Sequence, residues 1–497
     1  MPKLFDFQQV STKRLVPERS VLNGDDMGLG KTVQAIAMDV MRRNMHNCGL
    51  TAQTLVVTKM TVMGSWKDHF EEWAPNLRVF VMNPKNRRKF TAAFHAKDSK
   101  GLPLYHVFVC HWPALRFITD ELKSVAWFHV VGDEIHAIKN RKAQVTRSFK
   151  AMRPYYRTGL SGTWADNNPD DAWSVLNWLW PNVFTNFTRF SNYHTIKVQK
   201  ETQDGRKYNV IAGTANAEEL HAQIAHGYVR RTKEEVLDDL PDKYYSTVKV
   251  DLHTKQRSAY NQMRDTMLAW VGEHENEPIA APMVIAKLVR LQQFACAYGQ
   301  LETIYKTIVD ADGEKQKIPM QVLRLTEPSS KLDAVMEIID ATSTPVVVFS
   351  QSKQVINLLG KRLQAEGIAA GILTGDTPAR DRSQLVSDFQ SGRLRVFAGT
   401  IAAGGTGITL TAASTCIFID RAWSPSQNRQ AEDRLHRIGQ KNAVHIIDIV
   451  ARTTIDSGRN RKIALKWEWL REMLGDKGEE LRKEVHINDV IPSVKFW

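Results

Sequence analysis

Short apolar runs, rich in β-branched and aromatic residues, alternate with longer segments of helical period in two stretches of the chain. In the first stretch the predicted strands cover residues 54–57, 106–110, 128–132 and 156–160. In the second stretch they cover residues 345–349, 369–373, 395–398, 415–419 and 445–450. The runs are continuously apolar, which is typical of parallel strands buried on both faces. The pattern therefore predicts an α/β protein with two parallel sheets flanked by helices.

The stretch from residue 178 to residue 328 has a different pattern, because it is richer in helix-forming residues. Within it, Asp312-Gly313 flanked by alternating residues predicts a hairpin. The C-terminal residues 455–481 predict a charged helix. We therefore expect a first lobe over residues 1–240, with a helical protrusion near residues 178–228, and a linker with a second protrusion over residues 241–330. A second lobe, ending in the C-terminal helix, is expected over residues 331–497.

The chain carries 67 Lys and Arg residues against 54 Asp and Glu residues, a formal net charge of +13. This excess favours a polyanionic partner, most commonly nucleic acid, although a soluble protein with a basic surface has the same balance. Apolar runs stay below the roughly 18 residues of a membrane span, and the first residues lack a secretory signal, so no membrane partner is expected. The cysteines lack metal-ligand spacing, so we expect no structural metal and reduced thiols in a cytoplasmic or nuclear compartment. They are Cys48, Cys110, Cys296 and Cys416.

A glycine-rich segment, residues 24–32, reads Gly-Asp-Asp-Met-Gly-Leu-Gly-Lys-Thr. Its end is typical of a P-loop, in which backbone N–H groups surround phosphate oxygens, Lys31 neutralises the β- and γ-phosphates and Thr32 binds Mg²⁺. Residues 33–41 predict a helix whose positive N-terminus faces the phosphates. Asp25 stands where the strict pattern has its first glycine, so a glycine-rich helix N-terminus that binds no ligand is the alternative.

A second acidic motif follows the strand predicted at residues 128–132, where Asp133-Glu134 precede Ile135-His136. Asp133 is suited to hold Mg²⁺ through water, and Glu134 to orient or deprotonate the attacking water. A lone acidic pair at this place is often a solvated strand end. Its position downstream of a P-loop favours a functional site.

The two motifs, and a series of further blocks, resemble the Snf2-like branch of the superfamily 2 helicases. Residues 25–32 match a family block that usually has Glu where this chain has Asp26. Trp164 is a second departure, since the family usually has proline there, and His111-Trp112 replaces a Thr/Ser-Tyr pair. The further blocks follow in the family's order: Phe7-Gln8, residues 54–73, 133–140, 159–168, 230–241, 347–351, 373–382, 403–413 and 423–440. The resemblance runs from Phe7 to about Lys462.

The resemblance implies two RecA-like P-loop NTPase lobes, with helical insertions between them and ATP in the cleft. It implies that Gln8 reads adenine and that arginine fingers come from the second lobe, a contribution of roughly 10³–10⁵ in rate. A surface helix with i,i+3 charge pairs is the alternative for these arginines. Implied ATP-binding residues are Asp26, Met27, Gly28, Leu29, Gly30, Lys31, Thr32, Gly405, Gly407 and the two fingers, Arg434 and Arg437. Implied coupling residues are Ser161, Thr163 and Gln430.

The implied activity is ATP hydrolysis with Mg²⁺, coupled to translocation on double-stranded DNA. Contacts to phosphates carry no sequence information, so we expect sequence-independent and salt-sensitive binding by a monomer. The expected DNA contacts are Lys67, Ser350, Gln351, Thr374, Gly375, Arg382, Thr400 and Arg429. A strand-separating helicase with the hairpin near residue 312 as its wedge, and an ATP-gated clamp, are the alternatives, while the resemblance disfavours an RNA helicase.

Overall fold

The computed structural model describes residues 2–83, 85–165, 168–201, 207–237, 240–273, 281–309, 315–404, 407–474 and 483–484. The chain divides into two compact units. The first unit comprises Met1–Leu240, Ser424–Ser426 and Leu465–Glu479. The second unit comprises Pro241–Trp423, Gln427–Ala464 and Glu480–Trp497.

The first unit is built on a seven-stranded parallel sheet with the strand order β3-β4-β2-β5-β6-β1-β9. A separate antiparallel hairpin is formed by β7 and β8. The elements are α1 (Asp6–Leu15), β1 (Ser20–Asn23), α2 (Lys31–Met45), β2 (Thr54–Thr58), α3 (Met63–Trp73), β3 (Val79–Val81), α4 (Arg87–Ala92), β4 (Val107–His111), α5 (Thr119–Lys123), β5 (His129–Asp133), α6 (Gln144–Lys150), β6 (Tyr156–Leu160), α7 (Asp170–Leu179), α8 (Phe187–His194), β7 (Thr195–Glu201), β8 (Lys207–Thr214), α9 (Ala217–Ile224), β9 (Tyr228–Val229) and α10 (Lys233–Val236).

The second unit has its own seven-stranded parallel sheet, with the order β14-β15-β13-β16-β17-β10-β18. A long antiparallel ribbon is formed by β11 and β12. The elements are β10 (Lys243–Val250), α11 (Thr254–Glu273), α12 (Ala281–Cys296), β11 (Tyr298–Val309), β12 (Lys315–Thr326), α13 (Ser330–Ala341), β13 (Val346–Ser350), α14 (Lys353–Ala365), β14 (Ala370–Leu373), α15 (Ala379–Gln390), β15 (Val396–Thr400), α16 (Ile401–Gly404), β16 (Thr415–Phe418), α17 (Pro425–Glu432), β17 (Val444–Ala451), α18 (Ile455–Leu474) and β18 (Lys483–Glu484). Helix α18 begins in the second unit and ends in the C-terminal piece of the first.

Each sheet separates two apolar cores, because successive side chains of a strand point to opposite faces. In β2, Leu55 and Val57 belong to one core of the first unit and Val56 to the other. In β13, Val347 and Val348 divide in the same way between the two cores of the second unit. All five side chains are fully buried, and burying each contributes about 1.5–3 kcal/mol. Burial on both faces explains why the strands are continuously apolar in sequence.

The predicted α/β class with two parallel sheets is confirmed, and all nine predicted strands are present within one or two residues. Strand β1 escaped prediction because its four residues are too short to show a period. Strand β10 also escaped prediction, although it extends the second sheet beside β17. The region near residues 178–228, expected as a helical protrusion, contains α8 and α9, with the unpredicted β7–β8 hairpin between them. The predicted hairpin near residue 312 is present as β11 and β12, and its turn lies outside the described residues.

Within the described ranges, every helix is too short or too polar to cross a membrane. The same residues contain no cluster of three or more His, Cys, Asp or Glu side chains that could hold a metal ion. Three of the cysteines, Cys110, Cys296 and Cys416, are buried, and all four are free thiols.

Candidate functional site

Three candidate motifs begin at the same edge of the first sheet because their strands end in register. Asn23, at the end of β1, is paired with Leu160 of β6, and Leu160 is paired with Asp133 of β5. The glycine-rich loop, the residues from Ser161 onward and the acidic pair therefore all leave the sheet at its carboxyl edge. In open parallel sheets this edge is where ligands bind.

The glycine-rich loop joins β1 to α2 through two left-handed glycines. Gly28 has a φ of 89° and Gly30 a φ of 72°, conformations that side chains rarely adopt. Gly30 also occupies the N-cap of α2, so the helix begins at Lys31. Unpaired N–H groups at the start of a 15-residue helix, together with its dipole, form an anion-binding end.

Lys31 points back into the loop rather than into solvent. Its Nζ donates hydrogen bonds to the carbonyl oxygens of Asp25 at 2.6 Å and Asp26 at 2.9 Å. Burial lowers the pKa of Lys31, while the carboxylates of Glu134, Asp25 and Asp26 oppose that shift. The ammonium group is therefore held on the inner side of the loop, at the edge that also carries Glu134.

Gln8, the residue expected to read adenine, is buried against the loop. Its Nε2 donates to the carbonyl oxygen of Leu29 at 3.0 Å, and its Oε1 accepts from the N–H of Phe5 at 3.1 Å. A Cβ at Gly30 would collide with the Gln8 amide, so the glycine permits this close approach. The contact ties α1 to the glycine-rich loop, residues 24–32, which we call the phosphate loop after its predicted role. The adenine role of Gln8 stays a prediction.

The two acids of the loop face arginines from residues 230–231, which follow β9. Arg230 Nη1 lies 3.1 Å from Asp26 Oδ1, and both side chains are buried. Arg231 Nε donates to Asp25 Oδ1 at 3.0 Å, and Gln34 Nε2 donates to the other oxygen at 3.0 Å. The arginines neutralise carboxylates that would otherwise repel a phosphate. The Asp26 side chain thus braces the loop from within, and its role in ATP binding stays a prediction.

Asp133 is oriented by two donors on a single carboxylate oxygen. Thr58 Oγ1 donates to Oδ2 at 2.7 Å, and Trp66 Nε1 donates to the same atom at 2.9 Å. Burial and the charge of Glu134 raise the pKa of Asp133, and the two hydrogen bonds oppose the shift. Because both donors act on Oδ2, Oδ1 is the oxygen suited to a cation.

Glu134 has a left-handed backbone with a φ of 53° and lies among three cationic or ionisable groups. Lys59 Nζ is 3.4 Å from Oε1, and His136 Nδ1 is 3.4 Å from Oε2. Burial opposes ionisation, but Lys59, His136 and Lys31 together lower the pKa of Glu134 to about 2. A strained φ at a non-glycine residue of a polar site is a feature of functional positions.

Ser161 connects the residues after β6 to the acidic motif. His136 Nδ1 lies 3.0 Å from Ser161 Oγ, and the same hydroxyl accepts from the N–H of Thr163 at 3.2 Å. The chain of contacts Thr163–Ser161–His136–Glu134 is continuous. Of the two expected coupling residues of the first unit, Ser161 contacts His136 beside the acidic pair, and Thr163 contacts Ser161. Their coupling role stays a prediction.

In the second unit, the loop after α16 and the residues after α17 are held together by hydrogen bonds. Arg437 Nη1 donates to Thr409 Oγ1 at 3.0 Å, and the N–H of Leu410 donates to the carbonyl oxygen of Arg434 at 2.9 Å. Burial lowers the pKa of Arg437, which Asp433 opposes. Both expected arginine fingers are half-buried, whereas the alternative for them is an exposed surface pair.

The remaining expected residues of this region lie beside the two arginines. Gly407 has a left-handed φ of 69°, which allows a tight turn after α16. Gln430 is buried on α17, and Arg429 beside it is half-buried. Gly405 lies outside the described residues.

Five of the seven expected DNA contacts of the second unit lie at or directly after the carboxyl ends of the adjacent strands β14, β15 and β13: Ser350, Gln351, Thr374, Gly375 and Thr400. The other two lie on helices, Arg382 on α15 and Arg429 on α17. Ser350 is paired with Thr400 in register, and both side chains are buried. The Ser350 hydroxyl donates to Asp420, and the N–H of Gln351 donates to the same carboxylate oxygen at 3.1 Å. Ser350 thus fixes the strand end, and the exposed Gln351 is the side chain that a ligand can reach.

Other expected contacts differ in accessibility. Gly375 is exposed, and Arg382 is half-buried, with its Nε donating to the carbonyl oxygen of Thr377 at 3.0 Å. Thr374 is buried, and its hydroxyl accepts from the N–H of Asp376 at 3.3 Å. In the first unit, Lys67 is exposed and forms an i,i+4 pair of 3.1 Å with Glu71.

Sequence reasoning did not assign roles to the residues that orient the acidic pair. Thr58 and Lys59 end β2, the strand next to β5, so the rule that ligands gather at carboxyl strand ends pointed to them. Arg230 lies in a matched family block, but its pairing with Asp26 left no local signal, because the two residues are more than 200 positions apart.

A P-loop, a neighbouring acidic pair and two parallel α/β units are the defining features of P-loop NTPases of the helicase type. Residues 13–299 match the family model described as the SNF2-related domain. Residues 330–439 match the model described as the helicase conserved C-terminal domain. The chain therefore belongs to the SNF2-related family, and the resemblance found in the sequence is confirmed.

Curated relatives are much longer than this chain. It is similar to the transcription regulatory protein SNF2 of Saccharomyces cerevisiae, with 28% identity over 450 residues, 88% of this chain and 25% of that protein. It is similar to the ATP-dependent DNA helicase DDM1 of Arabidopsis thaliana, with 25% identity over 456 residues, 88% of this chain and 57% of that protein. A solved Sulfolobus solfataricus SWI2/SNF2 ATPase core in complex with dsDNA aligns over 95% of this chain and 97% of its own, with 23% identity and a TM-score of 0.42. The chain thus spans about a quarter of the yeast protein and little more than half of the Arabidopsis protein.

Proposed function

We propose that this chain hydrolyses ATP with Mg²⁺ and couples hydrolysis to translocation on double-stranded DNA. The observation that carries the proposal is the register of Asn23, Leu160 and Asp133, which brings the phosphate loop and the acidic pair to one sheet edge. Membership of the SNF2-related family supports the same assignment. The Arabidopsis relative is named as an ATP-dependent DNA helicase, which is in accord with it.

In this proposal the loop residues Met27, Gly28, Leu29 and Gly30 surround the phosphates with N–H groups, and Lys31 adds a positive charge. The Thr32 hydroxyl and Asp133 Oδ1 are hard oxygen donors of the kind that Mg²⁺ prefers. When bound, the cation would neutralise charge on the β- and γ-phosphates. It would also favour the ionised form of Asp133, whose pKa burial raises.

Glu134 is proposed to act on the attacking water. Lys59, His136 and Lys31 lower its pKa, so it is ionised at neutral pH. The carboxylate can therefore accept a hydrogen bond from the water, orient it toward the γ-phosphorus and take up its proton as the new bond forms. The water oxygen bonds to phosphorus, the bond to the ADP oxygen breaks, and ADP and inorganic phosphate leave.

Arg434 and Arg437 are proposed to stabilise the charge that builds on the γ-phosphoryl group. Lys31 meets the phosphates of the ground state, but a separate cation is needed for the transition state. The contacts of Arg437 with Thr409 and of Arg434 with Leu410 connect both arginines to the loop that contains Gly407. ATP state would thereby be communicated to the strand ends of the second unit.

Duplex DNA is proposed to bind along the carboxyl ends of β13, β14 and β15. Exposed Gln351 and Gly375 lie at two of these ends. Half-buried Arg382, on α15, is hydrogen-bonded to Thr377 in the loop after β14. The net charge of +13 favours a polyanion. We also propose a monomer, cytoplasmic in a bacterial or phage-infected cell and nuclear in a eukaryote.

The proposal is tested by steady-state ATP hydrolysis with no nucleic acid, double-stranded DNA, single-stranded DNA and RNA at matched low salt. Strong stimulation by duplex DNA, followed by displacement of a triplex-forming strand, is the expected outcome. Stimulation by single strands alone would favour strand separation, for which the β11–β12 ribbon is the candidate wedge. The absence of stimulation by every nucleic acid would overturn the motor proposal and favour an ATP-gated clamp.

A further inference from the structure

Tyr228 joins three parts of the first unit that are far apart in sequence. The indole Nε1 of Trp164 donates to the Tyr228 hydroxyl oxygen at 3.2 Å. The hydroxyl of Tyr228 in turn donates to the carbonyl oxygen of Leu474 at 2.7 Å. One phenol group therefore receives a hydrogen bond from the residues after β6 and gives one to the last turn of α18.

The ring of Tyr228 also covers the start of the phosphate loop. A Cβ at Gly24 would lie 2.8 Å from Tyr228 Cε2, so only glycine permits the observed contact. Two residues further on, Arg230 Nη1 donates to the carbonyl oxygens of Gly24 at 2.7 Å and Gly162 at 3.2 Å. The segment that carries Tyr228 thus contacts both the phosphate loop and the residues next to Ser161.

The last turn of α18 is docked into the core of the first unit. Met473 and Leu474 are 1% and 0% exposed and belong to the same apolar core as Trp164. His221 Nε2 lies 2.9 Å from the carbonyl oxygen of Met473. Because the last carbonyls of a helix have no partner within the helix, His221 and Tyr228 complete its C-terminus. The docked position of this turn and the position of the Tyr228 side chain therefore depend on each other.

The hydrogen bond from the residues after β6 to Tyr228 depends on the presence of Trp164. Trp164 stands where the family usually has proline, and a proline side chain has no N–H to donate to Tyr228. Trp164 is fully buried, and a buried indole N–H needs an acceptor. The Tyr228 hydroxyl supplies it.

We infer that Tyr228 is a positioning residue through which docking of residues 473–474 holds the phosphate loop and residues 162–164 in place for ATP turnover. The inference rests on the proposed ATPase function. A factor that undocks the C-terminal turn would lower turnover without contacting ATP or DNA. The C-terminal end of α18 is thereby a control point for the nucleotide site.

The first test is hydrogen–deuterium exchange on the full chain, a measurement that does not require activity. Tyr228→Phe removes both hydrogen bonds and keeps the ring, and Leu474→Ala weakens docking while keeping the backbone carbonyl. Both variants are expected to accelerate exchange in peptides that cover residues 24–31 and 162–164. Tyr193→Phe, which removes an exposed phenol bonded to Glu219, and Leu122→Ala, in the same core, are the matched controls. Unchanged exchange over these peptides in both test variants would overturn the inference.

The second test measures kcat and the KM for ATP with duplex DNA. Loss of these hydrogen bonds is expected to lower kcat roughly threefold to tenfold in Tyr228→Phe and to change KM by less than about twofold. In the double variant Tyr228→Phe/Leu474→Ala the losses are expected to be non-additive, because both changes act through one contact. Additive losses, or a kcat equal to that of Tyr193→Phe, would contradict the inference. An inactive wild-type protein would instead sink the proposed function and leave the exchange test to decide the positioning role.

Discussion

The guanidinium of Arg230 lies 3.1 Å from the carboxylate of Asp26, with the two side chains 6% and 3% exposed. An acid inside a phosphate-binding loop is a liability, because its charge repels the ligand. Here the segment after β9 supplies the opposite charge. The same arginine donates to the carbonyl oxygens of Gly24, at the start of the loop, and of Gly162, after β6.

Removing this arginine is therefore expected to be costly. Arg230→Ala removes the buried cation beside the Asp26 carboxylate, and breaking a buried ion pair in this way costs about 3–5 kcal/mol. Urea unfolding measures the loss, and the KM for ATP should rise because Asp26 then repels phosphate. Arg324→Ala, which breaks an exposed pair with Glu302, is the control and should cost about 0–1 kcal/mol. Equal stability of the two variants would show that the pair has no special role.

The acidic pair gives a second prediction. Glu134→Gln keeps the shape of the side chain but removes the charge that orients water, so turnover should fall by roughly 10²–10⁴ while ATP binding remains. Lys31→Ala should also abolish hydrolysis and leave DNA binding intact. Steady-state hydrolysis and equilibrium nucleotide binding measure the two effects, and Glu72→Gln on the exposed side of α3 is the control. Normal turnover in Glu134→Gln would refute the site assignment.

Arg437 gives a third prediction, in which rate and affinity respond differently. Arg437→Ala should lower kcat by about 10³ or more, as expected for an arginine finger, and change ATP affinity little. Arg461→Ala, at an exposed position of α18, is the matched control. Equal losses in kcat and in ATP affinity would instead indicate that Arg437 supports the fold of the loop around Thr409.

Buried His129 makes stability depend on pH. Burial, with help from Arg42 and Arg43, lowers the pKa of His129 to about 4, and Asp39 opposes the shift. Between pH 6.5 and 4 the unfolded chain is therefore protonated at His129, while the folded chain is not. The free energy of unfolding is thus unaffected by His129 above pH 6.5 and decreases as the pH falls below it. The loss for one such group approaches about 1.4 kcal/mol per pH unit.

Urea unfolding between pH 7 and pH 4 tests this expectation. The slope of the unfolding free energy against pH reports the number of protons taken up on unfolding. In His129→Gln that number should fall by up to one. Exposed His95→Gln is the control and should leave the slope unchanged. Burial also lowers the pKa of His106 to about 4. The His129 variant should therefore still lose unfolding free energy at low pH, through His106.

The DNA contact proposed for Arg382 is tested by the salt dependence of binding. Arg382→Ala should weaken duplex binding to a similar degree for all sequences and reduce the slope of log K against log salt by about 1. Fluorescence anisotropy at several salt concentrations measures this slope. Lys361→Ala, on the exposed face of α14, is the control, and an unchanged slope in Arg382→Ala would remove this residue from the interface.

Much of this protein follows from local sequence. Apolar runs predicted nine strands of the two sheets, since burial on both faces leaves a continuous signal in the chain itself. The phosphate loop and the acidic pair were also recognisable, because each places several functional groups within a few consecutive residues. Strands β1 and β10 escaped prediction because the first is short and the second is only partly buried.

The tertiary structure alone decided which distant side chains complete the site. Neither the pairing of Asp26 with Arg230 nor the contact of Tyr228 with Leu474 has a local signature, since each joins residues more than 200 positions apart. Thr58 and Trp66, which orient Asp133 from a neighbouring strand and helix, lie 75 and 67 positions away from it. Periodicity records which face of an element is buried, but the choice of partner depends on how the folded chain packs those faces together. The sequence therefore determined most of the elements and the candidate reacting groups, and the packing decided which side chains orient and neutralise them.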